Sequence, residues 1–419
     1  MITAKAFAGK HYAVYGLARS GLATVEALLS SGAKVTAWDD KEEARAKAPA
    51  GTEIANLDDA DLGQFDSLVV TPGLPLNRHP IAQRAREAGV EIIGDIELFA
   101  RARSELPPHK VVGITGTNGK STTTALVHHI LQTVGVPATM GGNIGLPILA
   151  QDPLPEGGVY VLELSSYQID LTQSLDCDVA VLLNITPDHL DRYESFEAYA
   201  ASKARLFEMS NGIRIGAPAQ AGAQSGEAYN ALRASGLLPS QEHWPALQGP
   251  HNAKNAAAAI EVCMSLGASL DVIAEALRTY PGLPHRMERV REKDGVTFVD
   301  DSKATNAEAA APALAAYSKV RWIVGGQAKS DSLGDTAAQL GHVVKAYTIG
   351  EAGPMFARLL RAAGVAVEEC ETLENAVNRA AADSHPDEVV LLSPASASFD
   401  QFRDYEARGD RFRVLVEGL

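Results

Sequence analysis

The chain has 419 residues, enough for just under three domains at roughly 150 residues each. Hydrophobic residues make up 46% and charged residues 21%, the balance of folded globular protein, which excludes global disorder and collagen-like structure. The formal net charge of −15 excludes a general binder of nucleic acid or anionic membrane, yet leaves room for small anions held by a few local donors.

In chain order, residues 12–15 predict a strand ending at Gly16, 22–29 a helix, 34–38 a second strand and 67–70 a third. This β-α-β rhythm predicts a parallel sheet with crossover helices. The Pro-rich stretch 106–109 reads as a linker, after which 111–114 predicts a strand and 123–131 a helix. Strands follow at 159–162 and 179–183, and a helix around Lys203. Residues 212–250 have weak periodicity and few strand formers, and read as a loop with a short helix at 227–234. A second linker is expected at 280–284, then strands at 297–299, 321–324, 346–349 and 389–392. The three cysteines, Cys177, Cys263 and Cys370, have no metal or CxxC spacing and read as free buried thiols of a reducing cytoplasm. The N-terminus leads into a strand pattern rather than a signal peptide, and no run approaches the ~18–20 apolar residues of a membrane span.

The strongest chemical signal is Thr115-Gly116-Thr117-Asn118-Gly119-Lys120-Ser121-Thr122, between a strand and a helix. Glycines let backbone N–H groups approach phosphate oxygens, the helix N-terminus favours negative charge, and the Lys120 and Ser121 types suit terminal phosphates and Mg²⁺. Glu163 ends a strand, where a phosphate-bound metal needs a hard oxygen ligand. Thr186-Pro187-Asp188-His189-Leu190-Asp191-Arg192-Tyr193 packs acid, imidazole and guanidinium into one further loop. Gly16-Leu17-Ala18-Arg19-Ser20-Gly21, with Asp39 at the end of the next strand, is a variant dinucleotide fingerprint with Ala18 at its middle glycine. Polar clusters at 300–306, 325–329 and 393–398 each follow a strand, so they are expected to share one crevice.

Together these residues resemble the Mur ligase family. The likeness is carried by Thr71-Pro72-Gly73-Leu74-Pro75, the 116–122 loop, Gly141-Gly142-Asn143-Ile144-Gly145, Glu163-Leu164-Ser165-Ser166-Tyr167-Gln168, and the segments 188–193, 283–288, 301–306 and 391–402, in that order along nearly the whole chain. The resemblance implies an α/β protein of three domains. A Rossmann-like N-terminal domain (1–106) would hold the UDP substrate, a central P-loop ATPase-type domain (107–283) ATP and Mg²⁺, and a Rossmann-like C-terminal domain (284–419) the incoming amino acid. The implied activity is ATP-dependent addition of D-glutamate to UDP-N-acetylmuramoyl-L-alanine through an acyl phosphate, in cytoplasmic peptidoglycan precursor synthesis. The implied partners are these small molecules alone, with a monomeric chain, no nucleic acid and no membrane insertion.

By the same resemblance, Lys120, Glu163, His189 and Lys203 are catalytic. Ser121, Glu163, His189 and a carbamylated Lys203 serve the metal. Gly116, Thr117, Asn118, Gly119, Lys120, Ser121, Thr122, Asn255, Arg286 and Asp301 hold ATP. Leu17, Ala18, Asp39, Thr71, Asn143 and His189 hold the UDP substrate, and Thr305, Lys329, Ser398, Phe399 and Tyr405 hold D-Glu. The chain departs from the pattern twice: only 47 residues lie between Lys203 and His251, and Gly326-Gln327-Ala328-Lys329 lacks the usual glycine before its lysine. Three alternatives stay open at this point: the same ligation with another amino acid such as L-glutamate, an NAD-dependent dehydrogenase using the Gly16 loop, and a non-catalytic nucleotide-binding regulator.

Overall fold

The computed structural model describes residues 1–186, 188, 191–216 and 240–419. It contains two compact units, one of Met1–Leu238 with Asn255–Ala276 and one of Pro239–Lys254 with Leu277–Leu419. The first unit holds two five-stranded sheets and the second unit one sheet of six strands.

The first sheet comprises β1 (His11–Tyr15), β2 (Lys34–Trp38), β3 (Glu53–Ile54), β4 (Ser67–Val70) and β5 (Glu91–Ile93), in the order β3-β2-β1-β4-β5, all parallel. The strand order reverses between β1 and β4, which makes the loops after these two strands the natural ligand crevice. The second sheet comprises β6 (His109–Thr115), β7 (Ala138–Gly142), β8 (Gly158–Glu163), β9 (Val179–Leu182) and β10 (Ile213–Ile215), in the order β10-β9-β6-β8-β7, again all parallel. Central strands such as Ser67–Val70 and Val179–Leu182 are buried throughout and read as continuous apolar runs, as strands covered on both faces do.

These two sheets share one hydrophobic core, which runs from Tyr12, Val35 and Phe99 to Val111, Tyr160 and Leu206. That continuity is why they form a single compact unit although each has its own helices. The carboxylate of Glu97, almost fully buried, adds a polar tie: it accepts hydrogen bonds from the Gln173 and Ser174 amides at 2.7 and 2.8 Å and from Ser174 Oγ at 2.8 Å.

The sheet of the second unit comprises β11 (Glu288–Lys293), β12 (Val296–Asp300), β13 (Val320–Gly325), β14 (Val343–Ile349), β15 (Val367–Glu371) and β16 (Val389–Leu392), in the order β11-β12-β16-β13-β14-β15. It is mixed: β11 runs antiparallel to β12, and the other pairs are parallel.

The predicted central strands are present. The expectation for 212–250 needs correction: Ile213–Ile215 forms β10, an edge strand paired with β9. Gly212 permits that entry, because a Cβ there would stand 2.0 Å from the Asp178 carbonyl oxygen. The helix expected at 227–234 lies outside the described residues. Cys177, Cys263 and Cys370 are free and buried. No helix among the described residues is long and apolar enough to cross a membrane.

Gly142 ends β7 with φ +84, and a Cβ there would lie 2.1 Å from the Glu163 carbonyl oxygen. Gly142→Ala is expected to destabilise the first unit by roughly 1–3 kcal/mol through the left-handed backbone alone, and more through the clash. A lower urea midpoint in circular dichroism checks this.

Candidate active site

In the second sheet, the loops after β6, β8, β9 and β7 all leave the carboxyl edge, and because these strands are neighbours their loops converge. The loop after β6 turns into the helix Lys120–Val134 through Gly119 at φ +86. A Cβ on Gly119 would meet the side-chain oxygen of Asn255 at 2.2 Å, so the glycine lets Asn255 close on the loop. Asn184, after β9, fixes the loop's shape. Its side chain accepts from the Asn118 amide and donates to the Asn118 carbonyl, both at 2.9 Å, and its own carbonyl accepts from Thr117 N at 2.9 Å. Thr117 Oγ1 in turn meets the backbone of Thr186 and the Tyr199 hydroxyl.

Two ammonium groups point at one carbonyl. Lys120 Nζ donates to Gly116 O and Thr117 O, both at 2.8 Å, and Lys203 Nζ donates to Gly116 O at 2.9 Å. Lys203 projects from the helix Phe196–Glu208 and is 2% exposed, with its amine over the Tyr199 ring. Burial, reinforced by the Lys120 charge, lowers its pKa to about 7.

Glu163 ends β8 and is also 2% exposed. Its Oε1 accepts from Asn143 Nδ2 at 2.9 Å, and Asn143 N donates to the Glu163 carbonyl at 2.9 Å. Its Oε2 is buried and has no hydrogen-bond partner among the described residues. A buried carboxylate oxygen without a donor is costly unless a cation meets it. With the buried Ser121 at the second position of the helix Lys120–Val134, the hard oxygen donors suited to Mg²⁺ are present. His189 lies outside the described residues.

In the first sheet, Gly16 has φ +99, and a Cβ there would collide with Thr71 Oγ1 at 2.3 Å. The loops after β1 and β4 are therefore in contact at the strand-order reversal. Asp39, after β2, braces the loop after β1, accepting from Leu17 N at 2.7 Å as well as from Lys41 N at 2.9 Å. Ala18 caps the helix Arg19–Ser30 without a side-chain hydrogen bond. Leu17, Ala18, Asp39 and Thr71 thus gather on one edge of the first sheet.

In the second unit, the loops after the adjacent strands β12, β16 and β13 converge. Gln327 and Ala397 exchange backbone hydrogen bonds at 2.9 and 3.0 Å, which pairs the loop carrying Lys329 with the loop carrying Ser398. Lys329 is exposed, Ser398 is buried and Phe399 is 68% exposed. Gly325 and Gly326, at φ +130 and +128, supply the tight backbone in this loop, ahead of the missing glycine noted in the sequence. Thr305 sits in the loop after β12, and Lys303 Nζ lies 3.8 Å over the Tyr405 ring. Asp301 accepts from Met287 N at 3.2 Å and Ser393 Oγ at 2.8 Å, beside the loop that holds Arg286.

Sequence reading missed Arg408, which is 1% exposed in the helix Tyr405–Glu417. Its guanidinium donates to Ser302 Oγ and O at 2.9 Å, Ser396 O at 3.0 Å and Ala397 O at 3.3 Å. Burial brings its pKa down to about 10. An arginine among the apolar positions of a terminal helix was the available signal. Asn184 was missed too, for it looks like an ordinary strand-end asparagine.

Comparison with known proteins fits this geometry. Residues 10–94 match the Mur ligase MurD-like N-terminal domain, 114–217 the Mur ligase middle domain and 285–396 the Mur ligase glutamate ligase domain. Over its full length the chain is 58% identical to the UDP-N-acetylmuramoylalanine–D-glutamate ligase of Novosphingobium aromaticivorans, covering 97% of that protein. The chain belongs to the Mur ligase family. This Mur ligase is likewise 58% identical to the enzyme of the same name from Sphingopyxis alaskensis, each chain covered completely. Among solved structures, the UDP-N-acetylmuramate–alanine ligase MurC of Thermotoga maritima shares its fold at TM-score 0.56 and 19% identity, covering 98% of this chain and 99% of that one. The ADP complex of Thermotoga maritima MurF shares it at TM-score 0.56 and 16% identity, covering 99% and 97%.

Burial pushes the Asp301 carboxyl up to about 7. Its unfolded value is near 3.9, so from about pH 4 to 7 the folded chain keeps a proton that the unfolded chain has released. Stability from this group is therefore greatest below that window and falls as pH rises through it, by up to about 4 kcal/mol. Asp301→Asn is expected to flatten the decline in urea midpoint between about pH 5 and pH 7 relative to the wild type.

Proposed function

We infer that this Mur ligase joins D-glutamate to UDP-N-acetylmuramoyl-L-alanine with hydrolysis of ATP to ADP and phosphate, in the cytoplasmic assembly of peptidoglycan precursors. The observation that carries the reading is full-length identity of 54–58% to three enzymes of that name. It is supported by the site chemistry: a phosphate loop, a buried carboxylate oxygen lacking a donor, and two lysines on one loop carbonyl.

A carboxylate is a poor acyl donor because oxide is a poor leaving group. The alanyl carboxylate oxygen attacks the γ-phosphorus of ATP, the bond to the β-bridging oxygen breaks, and ADP leaves. The D-glutamate amine, having lost a proton, then attacks the acyl carbon and expels phosphate, leaving an amide. Lys120 and the loop amides of 116–122 stabilise charge on the transferred group, the main task in phosphoryl transfer. Ser121 and Glu163 are the residues to hold Mg²⁺, with His189 and carbamylated Lys203 serving a second ion. Mg²⁺ supplies charge neutralisation at the phosphate oxygens when bound. Asn255, Arg286 and Asp301 are assigned to the adenosine. Leu17, Ala18, Asp39, Thr71, Asn143 and His189 are assigned to the UDP-sugar.

Thr305, Lys329, Ser398, Phe399 and Tyr405 are assigned to D-Glu. Lys329 faces a side-chain carboxylate as a point charge. The domain assignment is 1–106 for the UDP substrate, 107–283 for ATP and 284–419 for the amino acid.

The direct test is phosphate release with ATP, Mg²⁺, UDP-N-acetylmuramoyl-L-alanine and either enantiomer of glutamate. Release that depends on D-Glu and falls at least ~10³-fold in Lys120→Ala is expected. Release with L-Glu alone would move the assignment to the other enantiomer, and none with either would sink it.

Carbamylation needs an uncharged amine. With a pKa of about 7, most Lys203 is uncharged at about pH 7.5, whereas an ordinary lysine is ~0.1% uncharged. In isotopically labelled bicarbonate a carbamate carbon resonance is expected in the wild type and absent in Lys203→Arg. Equal signals in both would refute the assignment.

A further inference from the structure

Two contacts, one made by Asn184 and one by Arg192, meet the loops of the two sheets. At the first, Asn184 grips the Asn118 backbone and so shapes the phosphate loop. At the second, Arg192 reaches the loop after β4: Nη2 donates to Leu74 O at 2.8 Å, and the Gly73 and Pro72 carbonyls lie 3.4 and 3.5 Å from the guanidinium. The contact is answered from the other side, where Asn77 Nδ2 and Arg78 Nη2 donate to Asp191 O at 3.1 and 2.9 Å. The guanidinium is oriented by the Tyr167 ring, 4.4 Å beneath it, which stacks on Tyr193 at 9°. A planar fork over an aromatic face is pre-organised for several carbonyls at once, which a lysine is not.

We propose that Arg192 is a positioning residue for the ligation. It fixes the loop 71–75, which faces the nucleotide-sugar, against Tyr167 of the helix that follows Glu163. It thereby sets how far the acyl carboxylate stands from the phosphoryl donor. The proposal rests on the ligase reading above. Arg192 is not needed to hold the two sheets together. The shared core, the Glu97 contacts and the Gly94 N to Leu171 O bond at 3.1 Å do that elsewhere. Its bonds act at the crevice edge, where a misplacement of about 1 Å costs on the order of 10²-fold in rate.

The experiment compares wild type, Arg192→Ala and Arg192→Lys in steady-state phosphate release, ADP titration calorimetry and thermal melting. Arg192→Ala is expected to lose on the order of 10²-fold in kcat, with KM for ATP and ADP affinity within about twofold of wild type. Arg192→Lys, which keeps one donor for Leu74 O, is expected between the two. The double variant Asn77→Ala/Arg78→Ala removes the answering bonds from exposed positions, so it keeps the fold, and is expected to lose roughly tenfold in kcat. Unchanged kcat in Arg192→Ala, or in the double variant should Arg192→Ala not fold, overturns the proposal while an active wild type leaves the ligase reading standing. A kcat loss matched by equal losses in ADP affinity and melting temperature also overturns it, for that is a merely structural role. A wild type silent with D-Glu overturns both.

Discussion

The Gly116 carbonyl is the point on which the rest of the active site depends. It accepts from both Lys120 and Lys203, so two ammonium groups converge where one is nearly fully buried. Repulsion and burial both act against the second charge, and the cheaper response is for Lys203 to lose its proton. A neutral amine can take up CO₂ and become an anion, which reverses the sign of the contribution it makes to its surroundings. One carbonyl thus ties the protonation of Lys203 to the charge on Lys120.

Each sheet presents its ligand loops at the carboxyl edge of adjacent parallel strands, and the neighbours differ in how the loops are braced. In the first sheet a carboxylate does it, Asp39 holding the Leu17 amide. In the second a neutral amide does it, Asn184 holding both polar groups of Asn118. A carboxylate at that second position could meet only the Asn118 amide, whereas asparagine satisfies both the donor and the acceptor of Asn118. In the second unit the brace is cationic, Arg408 holding carbonyls and a hydroxyl. The net charge of −15 has no bearing on these choices, which are made by single groups at close range.

Much of the fold was legible because buried parallel strands are apolar along their whole length. Val179–Leu182 and Val389–Leu392 could hardly be read otherwise. The strands that escaped are short or polar edges. Glu53–Ile54 has two residues, Ile213–Ile215 is mostly exposed, and Val367–Glu371 carries three glutamates. The site was legible where backbone geometry leaves a mark, as at Gly116 and Gly119. It was illegible where a common residue type gains its role from a distant partner. Nothing local marks Asn184 as the brace of a loop some 66 positions away, or Arg408 as the anchor of loops about 106 and 12 positions away.

The buried guanidinium of Arg408 has a consequence for how this protein comes into being. It sits in the closing helix Tyr405–Glu417, yet the carbonyls it gathers belong to loops made much earlier, at Ser302 as well as Ser396 and Ala397. Pairing of β12 with β16 brings those loops side by side, and the guanidinium can lock them only once that helix has left the ribosome and docked. The loop after β6, Glu163 and Lys203, by contrast, have all been made by mid-chain. During synthesis the loop after β6 should therefore set before the loops that Arg408 ties together. A variant lacking Arg408 would keep the contacts around Gly116 and lose the lock on the loops at Ser302 and Ser396.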